Sequence, residues 1–215
     1  RTTAKGQGRH KKQTGGRGQF GDVWVRMEPA ERGSGFEFLD EVVGGSVPRN
    51  YIPAVEKGLR EALKTGILAG FPVVDFKAAL YDGSYHPVDS SDLSFQLAAI
   101  LAFKKVSELA GPVLLEPVMT VSVTVPEEYM GQVIGDLNSK RGRVLGMDSE
   151  AGFSTVSAEV PQAEMQRYAT DIRSMTQGRG IFTMEFARYE EVPTHLVQAI
   201  VDQAKKDREE AREAK

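Results

Sequence analysis

The chain has no cysteine, only three histidines and a single tryptophan among its 215 residues. Without cysteine there is no disulfide framework, no thiol nucleophile and no thiolate metal site, which fits a reducing compartment and leads us to expect a cytoplasmic protein. His10, His86 and His195 lie too far apart in sequence to form a local metal-ligand motif, and the acidic residues show no calcium-loop spacing, so no metal is expected. No apolar run approaches the roughly 20 residues that a membrane span requires. No basic and apolar leader opens the chain, so export is not expected either, and Arg1 reads as a cut end. A G-x-x-x-x-G-K-[ST] stretch is also missing, so these residues are not expected to bind or hydrolyse nucleotide.

What is present is an ordinary globular composition, 40% hydrophobic and 27% charged, in a chain long enough for one large domain or two of about 100 residues. The net charge of -3 hides an uneven distribution. Residues 1–21 hold Arg1, Lys5, Arg9, Lys11, Lys12 and Arg17 with no acid, against 21 basic and 30 acidic groups in the remainder. A cationic end on an acidic body suits a phosphate-bearing partner, although a solvated basic arm has the same composition.

Residues 22–28 alternate, with Val23, Val25 and Met27 on one face and Asp22, Trp24, Arg26 and Glu28 on the other, as a half-buried strand does. Pro53 opens a helix with Val55, Leu59, Ala62 and Leu63 on one stripe, ended by Gly66. A strand follows over Val74 to Leu80, broken by Asp82-Gly83. Ser90 is expected to N-cap the next helix, whose stretch from Leu93 to Leu109 is apolar nearly all round before Gly111 stops it, and such a helix belongs deep in a core.

From Pro112 a weak repeat appears at an offset of 35 residues: Val125-Pro126, Met130, Asp136-Leu137 and Ser139 match Val160-Pro161, Met165, Asp171-Ile172 and Ser174. Each copy reads strand (119–125; 154–160), Pro-opened helix, Gly-Arg (Gly142-Arg143; Gly178-Arg179) and strand, giving the βαββαβ order of a ferredoxin-like sandwich. Pro193 opens a last helix striped by Leu196, Val197, Ile200, Val201 and Ala204, beyond which charges of alternating sign predict a solvated end.

Two polar loops carry the chemistry. Gly16-Arg17-Gly18-Gln19-Phe20-Gly21-Asp22-Val23 fits the kinase glycine-loop pattern letter for letter, but no lysine strand, catalytic loop or D-F-G follows it. A dinucleotide fingerprint would open a helix, whereas this segment leads into a strand. What survives is a glycine-rich hairpin tip that brings backbone close to a surface, with Arg17 and Gln19 as its polar reach. In Gly83-Ser84-Tyr85-His86-Pro87-Val88-Asp89-Ser90-Ser91, a histidine, an acid and serines share one loop without a nucleophile elbow, so helix capping or RNA recognition through Tyr85 and His86 is expected rather than catalysis. Lys140, Arg141 and Arg143, with Arg179 in the related place of the second repeat, suit helix C-termini and also phosphate.

With Pro112-Val113-Leu114-Leu115-Glu116-Pro117, Gly131-Gln132-Val133-Ile134-Gly135-Asp136-Leu137 and Arg173-Ser174-Met175-Thr176-Gln177-Gly178-Arg179-Gly180 added in order, these two loops resemble the C-terminal part of bacterial elongation factor G over nearly the whole chain. The resemblance implies an α+β fold of two domains: a fourth-domain-like rod at 1–115 and a fifth, ferredoxin-like domain at 116–190. A helix at 191–215 would follow, able to pack on the first. It implies a ribosome-binding part of a translational GTPase that promotes tRNA–mRNA translocation. Gly16, Arg17, Gly18, Gln19, Phe20, Tyr85, His86, Pro87 and Asp89 would form the tip entering the small-subunit decoding region, with the fifth domain facing large-subunit RNA near the factor-binding site. Phosphate contacts are then expected at Lys5, Arg9, Lys11, Lys12, Lys140, Arg141, Arg143 and Arg179. GTP and magnesium would belong to a domain of the parent outside this chain, leaving no cofactor and no catalytic residue here, and a monomer is expected. Arg9-His10-Lys11-Lys12-Gln13-Thr14 and Gly21-Asp22-Val23-Trp24 look closer to the paralogues of the housekeeping factor than to its commonest form. A recycling or ribosome-protection factor of the same superfamily is the rival reading, and the glycine-rich and His86 loops weigh against it.

Overall fold

The computed structural model describes residues 1–213 apart from residues 14, 15 and 17. The chain divides into two compact units, one formed by Arg1–Val113 together with the segment from Thr194 onward, the other by Leu114–Pro193. Both are mixed α+β.

In unit 1 the strands β1 (Ala4–Lys12), β2 (Gln19–Pro29), β3 (Phe36–Asp40) and β4 (Phe76–Ser84) form a sheet in the order β1-β2-β4-β3. Pairing is antiparallel except between β3 and β4. Helices α1 (Ile52–Leu63) and α2 (Asp92–Leu109) complete the layer, with Phe95, Ala98, Ala99, Ala102, Phe103 and Val106 of α2 fully buried against Val23, Val25 and Leu80 of the sheet and Val55 and Leu59 of α1. Glycine makes this close packing possible. A Cβ on Gly8 would lie 2.0 Å from the Ala98 carbonyl oxygen and 2.4 Å from the Ala102 nitrogen, and one on Gly21 would lie 2.4 Å from the Ser94 oxygen. The inward positions of β1 are therefore Ala4, Gly6 and Gly8, which bury backbone where other strands bury side chains. Residues 4–12, read from composition as a cationic arm, are thus an edge strand.

The N-cap of α2 is Ser91, whose Oγ accepts the Ser94 N–H at 3.2 Å; the sequence reading had placed it at Ser90. Ser90 has another task, described below. The strand expected from Val74 begins at Phe76, because Asp75 adopts a left-handed φ of 61° and turns its carboxylate to the N–H groups of Gly33 (3.0 Å) and Gly35 (3.1 Å). It also runs on through Asp82-Gly83 to Ser84. Helix α5 (Thr194–Glu213) belongs to the same unit, and its Arg208 guanidinium lies against Gly70, occupying the space a Cβ there would need.

Unit 2 contains β5 (Leu115–Pro126), α3 (Met130–Ser139), β6 (Arg143–Glu150), β7 (Phe153–Pro161), α4 (Tyr168–Met175) and β8 (Ile181–Glu191). The antiparallel sheet order β6-β7-β5-β8 is that of a ferredoxin-like βαββαβ sandwich. Val121, Val123 and Val125 of β5 and Val156, Ala158 and Val160 of β7 face Val133 and Leu137 of α3 and Tyr168 and Ile172 of α4. Pro126 and Pro161 end their strands and lead first into single 3-10 turns, so each helix starts later than its proline. The helices close in a shared manner: Arg141 and Gln177 take left-handed φ values of 59° and 53°, Gly142 N–H donates to the Leu137 carbonyl at 2.8 Å and Gly178 N–H to the Arg173 carbonyl at 2.8 Å.

Candidate functional site

The glycine-rich segment closes the β1–β2 hairpin, and residues 85–91 join β4 to α2. The two loops lie side by side, clasped by Asp89 and Ser90. The Asp89 carbonyl accepts the Phe20 N–H at 2.9 Å, and its carboxylate accepts the Gly18 N–H at 3.1 Å. A Cβ on Gly18 would come within 2.8 Å of that carboxylate, which explains glycine at this position. Ser90 Oγ donates to the Phe20 carbonyl and accepts the His86 N–H, both at 2.9 Å. Serine here is a cross-loop clasp and not a helix cap. With its hydroxyl proton committed to a carbonyl, it is also no nucleophile paired to the imidazole.

His86 is fixed by its own loop. Its carbonyl accepts the Ser90 N–H at 3.1 Å, while Nδ1 accepts from the N–H of Asp89 (3.1 Å) and of Val88 (3.3 Å). Asp89 Oδ2 also lies 3.5 Å from Nδ1, but the two backbone donors aimed at Nδ1 favour the tautomer with the ring proton on Nε2, in which the half-exposed imidazole presents an N–H outward. Tyr85 and Pro87 are exposed beside it. Across the hairpin, His10 Nε2 lies 2.8 Å from Gln19 Oε1. An amide oxygen only accepts, so His10 donates and the Gln19 NH2 group keeps its own donors. Phe20 lies between, 6.4 Å from the His86 ring centroid, with the Arg9 guanidinium 5.4 Å from its own centroid.

Gly16, Gly18, Gln19, Phe20, Tyr85, His86, Pro87 and Asp89 therefore gather at one end of unit 1. Arg17 lies outside the described residues. Behind the loops, Asp22 accepts from Gln7 Nε2 and from Ser84 Oγ, each at 2.8 Å, which ties β1, β2 and β4 together. The alternation of β2 put Asp22 on the outer face correctly, yet these two partners leave it only 7% exposed. Sequence reasoning missed the roles of Ser90 and Asp22 because each has a partner far along the chain, Phe20 for Ser90 and Ser84 for Asp22, 70 and 62 residues away.

The candidate phosphate contacts fall into two groups. Lys5, Arg9, Lys11 and Lys12 are exposed on β1 with no carboxylate partner among the described residues. Those of unit 2 are held by acids. Arg141 makes a two-pronged pair with Glu116 (2.7 and 2.9 Å) and a third bond to Glu164 (2.9 Å). Its guanidinium is raised further above its ordinary range, first by Glu116. Lys140 sits 3.0 Å from Asp171, and Arg143 shares Glu159 with Arg188. Hydrogen bonds from Arg188 and Arg143 pull the Glu159 carboxyl down to about 2. Arg179 pairs with Glu128 at 2.8 Å and lies over the Tyr129 ring. Among the described residues no three histidine or acidic side chains gather as a metal cage, and no helix is long and apolar enough to cross a membrane.

The family profile described as "Elongation factor G, domain IV" matches residues 1–111, and the one described as "Elongation factor G C-terminus" matches residues 113–200. The chain belongs to the elongation factor G family. A crystal structure of a protein from Thermus thermophilus is similar at 52% sequence identity with a TM-score of 0.83, over 96% of this chain. This chain spans 31% of that protein's chain. Residues 1–111 and 113–200 thus correspond to domain IV and to the C-terminal part of elongation factor G.

Proposed function

We propose that this chain is the ribosome-facing portion of a longer translational GTPase that promotes tRNA–mRNA translocation, its paired loops entering the small-subunit decoding region. GTP and magnesium belong to another domain of that parent. The observation that carries the reading is the clasp of the two loops through Asp89, Ser90 and Phe20. It holds two outward donor groups, His86 Nε2–H and the Gln19 amide, in fixed positions at the end of β1, whose cations have no carboxylate partner among the described residues. Fixed donors suit recognition of a shaped RNA surface, while the cations of β1 supply general attraction to phosphate. Unit 2 would face large-subunit RNA near the factor-binding site.

Donors that meet RNA only when the loops reach the decoding region contribute late in the reaction, so their loss slows movement more than it weakens initial binding. In the longer factor, His86→Ala and Gln19→Ala are expected to slow single-round translocation while changing initial ribosome affinity little. Wild-type rates in both variants would overturn the translocation reading and put subunit recycling or ribosome protection in its place.

A further inference from the structure

The sheet face of unit 1 that lies opposite α1 and α2 carries aromatic rings as well as charge. On β2, Phe20 and Trp24 share this face four residues apart, about 13 Å along the strand. Tyr81, set at the bulge where the β2–β4 register shifts, lies beside Trp24 with ring centroids 6.5 Å apart. The neighbouring edge strand β1 places Lys5, Arg9 and Lys11 on the same face, directly across from Arg26, Asp22 and Phe20. Lys5 Nζ stands 5.7 Å from the Tyr81 ring centroid and the Arg9 guanidinium 5.4 Å from that of Phe20.

The charge on this face is divided. Towards β3 its cations are engaged by acids, Arg26 by Glu28 and Glu41 and Lys77 by Glu37, and the acids outnumber them. Along β1 it is left positive: Asp22, the acid across from Arg9, is covered by Gln7 and Ser84, and the exposed acid of this region, Asp82, stands on β4 across from Trp24. The chain's only tryptophan is 36% exposed at the border between the two halves. A cationic rail beside one exposed and two half-buried rings fits a strand whose phosphates run along one side and whose bases turn to the other, provided Lys5 and Arg9 swing from the Tyr81 and Phe20 rings to the phosphates.

We propose that this face binds single-stranded RNA, its phosphates along Lys5, Arg9 and Lys11 and its unstacked bases on Trp24, Tyr81 and Phe20. The inference goes beyond the loop-tip reading and does not depend on translocation. A duplex, with its bases already stacked, offers these rings nothing.

Because Trp24 is the single tryptophan, its intrinsic fluorescence reports the contact in the unaltered chain. Titration with decauridine or decaadenosine is expected to quench it saturably, with affinity falling as salt rises, while a fully paired RNA hairpin quenches little. With fluorescein-labelled decauridine, Trp24→Leu is expected to weaken binding by about tenfold, as loss of a base-stacking ring does. Arg9→Ser should weaken binding and flatten its salt dependence, and Lys64→Ser, at the residue that caps the C-terminus of α1, should change nothing. Absence of quenching by the single strands, equal quenching by the hairpin, or unchanged affinity in Trp24→Leu each overturns the proposal. The fluorescence arm uses wild-type chain, so the test stands even if the variant folds poorly. Normal translocation by the Gln19 and His86 variants alongside intact quenching would remove the loop-tip reading and leave this one standing; slowed translocation without quenching would do the reverse.

Discussion

The exposed cations of β1 and those of unit 2 belong to the same chain but are held in opposite ways. On β1, Lys5, Arg9, Lys11 and Lys12 project from a strand anchored by its backbone, with Gly6 and Gly8 packed into α2 and no ion pair to a carboxylate among the described residues. In unit 2, Lys140, Arg141, Arg143, Arg179 and Arg188 are each engaged by acids, across as many as 51 residues of sequence. Cations that brace a frame are not free to meet a polyanion without breaking something. Cations on a strand held by glycine packing are. The difference teaches that, of the two groups, the cations of β1 are the ones without carboxylate partners among the described residues, in line with the acid-free composition of residues 1–21.

Four changes break or sharpen this contrast, in decreasing order of effect. Gly8→Val puts branched carbon into the Ala98–Ala102 backbone, where even a Cβ has 2.0 Å, and is expected to cost unit 1 about 3 kcal/mol or more. Urea unfolding should show the unit 1 transition displaced or lost and that of unit 2 unmoved; a shared shift would contradict separate anchoring. Arg141→Ala leaves Glu116, only 9% exposed, without its two-pronged partner and is expected to destabilise unit 2 by about 2 kcal/mol, below the range for fully buried pairs because Arg141 keeps some solvent contact.

Acid should separate the units as well. The Glu159 carboxyl is depressed to about 2 by Arg188 and Arg143, so its contribution is present above the ordinary glutamate value near 4.5 and is lost as pH falls from there towards 2. Glu159→Gln is expected to remove that part of the pH dependence of unit 2 stability, measured by denaturant midpoints between pH 5 and about 2; an unchanged profile would contradict the pairing. The smallest effect on stability belongs to Lys11→Ala, expected within about 0.5 kcal/mol of wild type because no folded-state partner is lost. A larger loss of stability would show that Lys11 braces the fold after all.

Much of this was legible in the sequence where side chains speak for themselves. The alternation of Val23, Val25 and Met27 and the 35-residue repeat behind the ferredoxin-like unit reflect burial of apolar groups, whereas the all-round apolarity of the segment that became α2 overstated its burial, because Leu93, Leu101 and Leu109 are exposed and only the side bearing Phe95, Ala99, Phe103 and Val106 packs in the core. Strand β1 was opaque because its inward face is Ala4, Gly6, Gly8 and His10, which produces no hydrophobic period; glycine at spacing two between polar residues was the available signal. β3, only five residues long, went unread as well. Of the candidate site, the two loops were visible as glycine-rich and polar segments, but their clasp was not, since hydrogen bonds from Ser90 to Phe20 and from Gly18 to Asp89 join positions about 70 residues apart. The same limit hid which arginines of unit 2 were already paired.

The measurement that tests this account most directly is the salt dependence of binding to whole ribosomes. Replacing Lys5, Arg9, Lys11 and Lys12 together with serine is expected to flatten the slope of log K against log salt by about 3, as loss of four phosphate contacts would. Replacing Arg143 and Arg179 with serine is expected to leave that slope unchanged while lowering unit 2 stability. Equal flattening by the two sets, or none from the β1 set, would contradict the assignment of phosphate contact to β1.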